Sequence, residues 1–507
     1  MITMNSTFLR HIARLLIGLV GTLILMSVSS APAMSQMPIK LRVAPEVPPD
    51  SADVARGTKR HFWRASAEVV GFNLGLWAFD RYIQKGDFAY ISLKTIRDNF
   101  RVGFKWDNDK LGTNTFLHPY NGNLYYNAAR SNGFNYWQST LFAIGGSAMW
   151  EMFMECEYPS TNDIIATPIG GAAIGEIMFR ASDVVLDDRG TGWERAGREA
   201  AAFVISPLRG FNRLITGDMW RRRPTTGRIF GTPNVAIQFS TGVKALVCQG
   251  RFNGGRVGAS AQIDVEYGDR FELRSTPPYD YFTVRAELQF MRDQPLLSHL
   301  SIKGRLLARE FLKERDTHLS VGLFQHFDFY DSDTIRGINR NPYKLGIPAS
   351  VGAGIYYRDI DRGGWVFDAF GHFNGVILGS ILSDHYQSDE RNYNWASGFS
   401  VKVGANLVFR RDRFSLAVTN ELYRLYPWVG YRTGVDPRKA DYRTLNVQGD
   451  KSSAYSNVTE VTANLRLWGR LYGTLSFMNF FRSTKYRDFP DIRSSSMTLA
   501  LRLTYKL

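Results

Sequence analysis

From Asn234 to the last residue, apolar and polar side chains alternate with a period of two, which puts one set on each face of an extended strand. Val257, Ala259, Ala261, Ile263, Val265 and Tyr267 alternate with Arg256, Ser260, Gln262, Asp264 and Glu266. Phe282 to Phe290 and Phe399 to Phe409 repeat the pattern, and Met497 to Leu507 ends the chain on it. About twelve such segments are predicted, each of about ten residues or more, the length a tilted strand needs to cross a bilayer. One face is aliphatic and aromatic; the other carries Arg285, Lys303, Arg305, Lys402, Arg466 and Arg502 against Asp264, Glu266, Glu287 and Glu460. That polarity is expected to line a lumen. Trp365, Tyr423, Tyr426, Trp428, Trp468 and Tyr472 fall near strand ends, where an interfacial aromatic girdle would lie.

Upstream the period is 3.6. His61 to Tyr82 places Phe62, Val69, Phe72, Leu76 and Phe79 at helical spacing, and further helices are predicted over Ser92–Phe104, Tyr125–Ser131, Tyr136–Glu157, Ile164–Val185 and Trp193–Ile205. Gly112, Pro119 and Gly122 break the pattern between Asp107 and Asn123, which therefore reads as a loop. Ser160 or Thr161 is the expected cap of the helix that follows, and the Gly-Gly-Ala-Ala-Ile-Gly run at 170–175 would let another backbone approach closely.

The first residues bear on compartment. Arg10 and Arg14 precede an apolar run, Leu15 to Val28, and small residues at Ala31-Pro32-Ala33 or Ala33-Met34-Ser35, which together read as a cleaved export signal. The formal net charge is +15, but the basic residues are scattered among strands, so lipid or a cationic lumen fits better than nucleic acid. Two cysteines, Cys156 and Cys248, are too few for a disulfide framework. The expected organisation is a signal peptide (1–35), a flexible linker (36–57), an α-helical domain (58–220), a linker (221–233) and an antiparallel transmembrane β-barrel of about twelve strands (234–507). The expected location is the outer membrane, with the helical domain periplasmic or at the inner leaflet, and outer-membrane lipid and other envelope proteins are the expected partners.

Candidate chemistry concentrates between Asp107 and Asp183. Ser147, Glu151 and Glu155 are spaced i, i+4 and i+8 on the predicted helix Tyr136–Glu157, Glu176 lies on the next helix, and His118 and Asp163 sit near helix ends. One histidine with several carboxylates could hold a divalent metal, the candidate ligands being Asp107, Asp109, His118, Glu151, Asp163 and Glu176. His118, Ser147, Glu151, Glu155 and Glu176 are the candidates for catalysis, although no Gly-x-Ser-x-Gly elbow or His-Glu-x-x-His spacing is present. The rival account makes them helix caps and interhelical hydrogen bonds.

The residues Gly112-Thr113-Asn114, His118-Pro119-Tyr120-Asn121-Gly122, Tyr126-Asn127-Ala128-Ala129-Arg130, Trp150-Glu151, Pro159-Ser160 to Asp163 and Pro168 to Glu176 resemble an uncharacterised bacterial family, domain of unknown function 3943. The resemblance implies an exported helical domain fused to an outer-membrane barrel and brings no activity with it. Two functions remain: an envelope transport or scaffold barrel, and an envelope hydrolase acting on lipid or glycan through a His/carboxylate site.

Overall fold

The computed structural model describes residues 48–248, 251–272, 277–335, 340–361, 363–388, 390–409 and 412–507; the expected export signal lies outside them. The chain divides into two units. One holds the chain up to Phe104 with Pro119–Ser160 and Thr167–Asn234, the other Lys105–His118, Thr161–Ala166 and Val235–Leu507.

The helical elements are α1 (Ser51–Gly57), α2 (Phe62–Phe79), α3 (Leu93–Val102), α4 (His118–Ser131), α5 (Tyr136–Phe153), α6 (Asp163–Val185), α7 (Gly192–Ile205) and α8 (Pro207–Ile215). Capping boxes start two of them, Ser92 with Thr95 before α3 and Asn135 with Gln138 before α5. Several boundaries differ from the sequence pattern for local reasons. Asp50 accepts from the Ala52 amide and starts α1 inside the stretch expected to be flexible. The segment expected to be a loop winds into a π-helical turn, Thr113–Leu117, closed by the His118 amide on the Thr113 carbonyl, and runs on into α4 with Pro119 as its second residue. Pro207 opens α8, at a position where its missing N–H costs nothing. Pro168 is tolerated inside α6.

In the second unit twelve antiparallel strands close into a barrel, each paired with its sequence neighbours and β1 with β12. They are β1 (Val235–Cys248), β2 (Arg251–Tyr267), β3 (Phe282–Phe290), β4 (Leu297–Lys313), β5 (Thr317–Asp331), β6 (Lys344–Ile360), β7 (Trp365–Leu382), β8 (Tyr393–Phe409), β9 (Phe414–Tyr426), β10 (Ser452–Trp468), β11 (Leu471–Tyr486) and β12 (Ile492–Lys506). Closure satisfies every ladder without a free edge. Val257, Phe373, Val403, Leu465 and Leu501 are exposed on the outward face, the apolar band of a membrane-spanning barrel. Of the expected girdle, Trp428 and Trp468 are exposed, whereas Tyr423 and Tyr472 are buried. The reason for the latter is parity: Tyr423 shares the inward face of β9 with Glu421, and its hydroxyl donates to that carboxylate at 2.5 Å.

The interior is filled. Leu246, Tyr330, Leu345, Ile381, Leu425, Met478 and Phe480 belong to one buried cluster drawn from opposite walls. Beneath it lie ion pairs between inward side chains: Lys402 with Asp328 (2.5 Å), Lys244 with Glu287 (2.7 Å), Arg502 with Glu287, and Arg285 with Asp264 (2.6 Å) and Glu460 (2.5 Å). Of the charges predicted for a lumen, Arg285, Lys402 and Arg502 therefore face inward and are neutralised by inward carboxylates.

Candidate functional site

Within the barrel unit, the segment Lys105–His118 is held against strands β6 to β8 near the end that carries the long connections 383–392 and 427–451. Lys402 faces inward, so alternation along β8 places Tyr393 and Trp395 on the outward face, with Val401 and Val403. Both are nevertheless fully buried. Trp106 lies against Trp395 (ring centroids 6.3 Å apart), and the Asn114 amide donates to the Tyr393 hydroxyl at 2.8 Å.

The backbone of the segment is fixed from the barrel side. Arg391 donates to the Asp107 carbonyl at 2.6 Å, Tyr393 donates to the Asp109 carbonyl at 2.9 Å, and Tyr386 donates to the Asn108 side chain at 3.0 Å. Thr161–Ala166 adds a second support, since the Thr161 amide donates to the Lys105 carbonyl (2.7 Å) and the Asp107 amide to the Asn162 side chain (3.2 Å). One donor atom each from Asp107, Asp109 and His118 then lies within 4.8 Å of the other two. Asp163, the first residue of α6 as its helix-terminal chemistry predicts, has its carboxylate 3.8 Å from His118 Nε2. Burial pushes the His118 imidazole below its ordinary value, and the Asp107 carboxylate pulls it partly back up. A neutral imidazole beside two carboxylates is a donor set for a divalent cation.

Asn114 turns its amide nitrogen toward Asp107 Oδ1 at 2.6 Å. It is a second-layer support for Asp107. The contributions of Tyr386, Arg391 and Tyr393 could not have been read from sequence, because they stand about 280 positions away, with hydrogen-bond separations of 278 to 284 residues.

The remaining candidates belong to the helical unit. Helix α5 ends at Phe153, so Glu155 falls past its end and the predicted face of Ser147, Glu151 and Glu155 is cut to its first two members. Ser147 and Glu151 are buried, and the Glu151 carboxylate accepts from the Ser160 amide at 2.7 Å. Neither Ser160 nor Thr161 caps α6; the Asn162 carbonyl accepts from Ala166 at 2.7 Å and starts the helix one residue later. Glu176 is fully buried and takes three donors: Arg130 at 2.8 Å, Arg180 at 2.9 Å and the Tyr126 hydroxyl at 2.6 Å. Such an anion is anchored by its arginines and is a poor metal ligand or proton shuttle. Neither Cys156 nor Cys248 is in a disulfide among the described residues.

Residues 103–208 match the domain of unknown function DUF3943. No curated protein matches the chain. Solved barrels align with about half of it at low identity: the NanC porin at 8% identity, over 53% of this chain and 100% of that one, with a TM-score of 0.26; an outer membrane channel from Pseudomonas putida F1 at 9%, over 54% and 95%, with a TM-score of 0.27; and the Pseudomonas putida toluene transporter TodX at 8%, over 55% and 90%, with a TM-score of 0.22.

Proposed function

We propose that the protein is an outer-membrane β-barrel that serves the envelope as a filled scaffold and does not form a standing passage. Tyr330 on β5 and Phe480 on β11 carry the reading. Their strands are half a turn apart in a ring of twelve, yet the ring centroids are only 6.0 Å apart. Side chains that meet across the diameter exclude a solute, and the Lys402, Asp328 and Glu421 group, on β8, β5 and β9, fills part of the next level with contacts of 2.5 and 3.5 Å. The polar cavity of about 240 Å³ lined by Gln238, Asp264, Arg285, Glu460 and Lys506 is then a blind vestibule. Planar-bilayer recording tests this directly: the purified protein is expected to insert without steady conductance, and stable open channels from the wild-type chain would overturn the reading.

A second reading is favoured by the convergence of Asp107, Asp109 and His118, whose donor atoms lie within 4.8 Å of one another. In it the segment binds a divalent cation, with the two carboxylates and the imidazole as ligands and Arg391 and Tyr393 holding their backbone. Metal content after gentle purification checks it, with His118→Ala expected to lose the metal. A metal-free protein whose melting is indifferent to chelator would remove this reading and leave the scaffold untouched.

A further inference from the structure

Three helices of the helical unit, α2, α5 and α8, have their polarity reversed. In a water-soluble bundle the apolar stripe of an amphipathic helix faces the core and charges face out. On α8 the opposite holds: Arg209, Asn212 and Arg213 are buried, whereas Phe211, Leu214 and Ile215 are exposed. The buried charges are paired inside the unit, Arg209 with Asp183 at 2.5 Å and Arg213 with Glu199 at 2.6 Å.

Helices α2 and α5 extend the pattern. Their exposed positions include Phe62, Val70 and Leu74 on the first and Trp137, Leu141 and Ile144 on the second, and no charged residue of either helix is exposed. Their charges turn inward, with Glu68 accepting from Asn132 (3.1 Å) and Asn212 (2.7 Å), and with Glu151 buried. Each helix has 18 residues, about 27 Å at 1.5 Å per residue, close to the ~30 Å hydrocarbon core of a bilayer. Contacts between helices are made by small residues and buried amides, as lipid-immersed bundles require: Gly122 meets Gly171, and Asn73 donates to the Gly146 carbonyl at 3.1 Å. Basic residues gather beyond the apolar stretch, at Lys85, Lys94, Arg97 and Arg101, with Tyr82 beside them, where headgroups would lie.

We propose that the helical unit is a membrane-embedded bundle whose outward faces, led by α2 and α5, contact lipid acyl chains. Lipid is favoured over a protein partner because exposed apolar side chains recur on three helices and two of these, α2 and α5, are close in length to the hydrocarbon core of a bilayer. The proposal rests on the polarity of this unit and holds whether or not the barrel conducts.

The test uses the full chain with Cys156→Ser and Cys248→Ala, carrying a nitroxide at Leu74→Cys or Leu141→Cys, in vesicles of phosphatidylethanolamine and phosphatidylglycerol. Val403→Cys on the outward face of β8 is the lipid control and Glu194→Cys, exposed on α7, the water control. Leu74 and Leu141 are expected to match Val403, with a ratio of oxygen to nickel-chelate accessibility several-fold above that at Glu194. Accessibility to the chelate overturns the proposal, and so does a label shielded from both reagents, which would mean a protein partner or a second copy covers the face. A chelate-accessible Val403 would instead count against the barrel spanning the bilayer, so the two failures are distinguishable. As a second measurement, Leu74→Asp is expected to reduce membrane-assembled protein severely, a loss that a watery surface would not show.

Discussion

Gly122 on α4 and Gly171 on α6 bring two helix backbones into direct contact: a Cβ on Gly171 would lie 2.6 Å from the Gly122 Cα, and one on Gly122 would lie within 2 Å of the Thr167 carbonyl oxygen (1.8 Å). Backbone cannot yield as a flexible side chain can. Gly171→Ala is expected to destabilise the helical unit by about 1 to 3 kcal/mol through overpacking. Gly145, on the open side of α5, where an added methyl would meet nothing within 4 Å, is the control; its alanine variant should gain up to about 1 kcal/mol from helix propensity. Thermal melts of the two variants compare them.

The carboxylate of Asp188 is fully buried and receives Arg195 (3.2 Å), Arg213 (2.6 Å) and Arg223 (2.6 Å). Removing it strands guanidinium groups away from water. Asp188→Leu is expected to cost about 3 to 5 kcal/mol, far more than the loss of a surface pair. Denaturant unfolding in detergent measures it, with Arg189→Gln, which breaks an exposed contact to Asp187, as the mild comparison.

Truncating the pair that spans the barrel should open it. The double variant Tyr330→Ala/Phe480→Ala removes the rings that meet at 6.0 Å, and each truncation is expected to cost about 3 to 5 kcal/mol by leaving a cavity. If the barrel remains folded, judged by its heat-modifiable migration, the variant should show conductance absent from the wild type. A folded double variant that stays closed would place the block at the Lys402, Asp328 and Glu421 level instead.

Asn114 links Asp107 to Tyr393 by bonds of 2.6 and 2.8 Å. Asn114→Ala is expected to cost about 1 to 3 kcal/mol, because the buried Tyr393 hydroxyl and the half-buried Asp107 carboxylate lose their donor. Faster hydrogen exchange at Asp107 to Asp109 is the local readout, and any metal retained by the wild type should be lost with it.

The sequence by itself determined the strands and their faces. A period of two over fifteen or so residues admits only one partition of inward and outward side chains, so Arg285, Lys402 and Arg502 could be assigned to the interior without coordinates. Helices α2, α5, α6 and α7 were legible from the 3.6 period, and Asp163 at a helix start from cap chemistry. The tertiary structure decided what the pattern leaves open. Whether the barrel interior is a passage or a core depends on Tyr330 and Phe480 reaching one another across the ring, a distance that no local period encodes. The candidate site depends on distant residues in the same way: the Asp107 and Asp109 carbonyls are held by Arg391 and Tyr393, which close loops of 284 residues. Periodicity also fixes which residues share a helix face but not which face turns inward. On α8 the buried face is the one with Arg209 and Arg213, because Asp183, Asp188 and Glu199 are there to receive them.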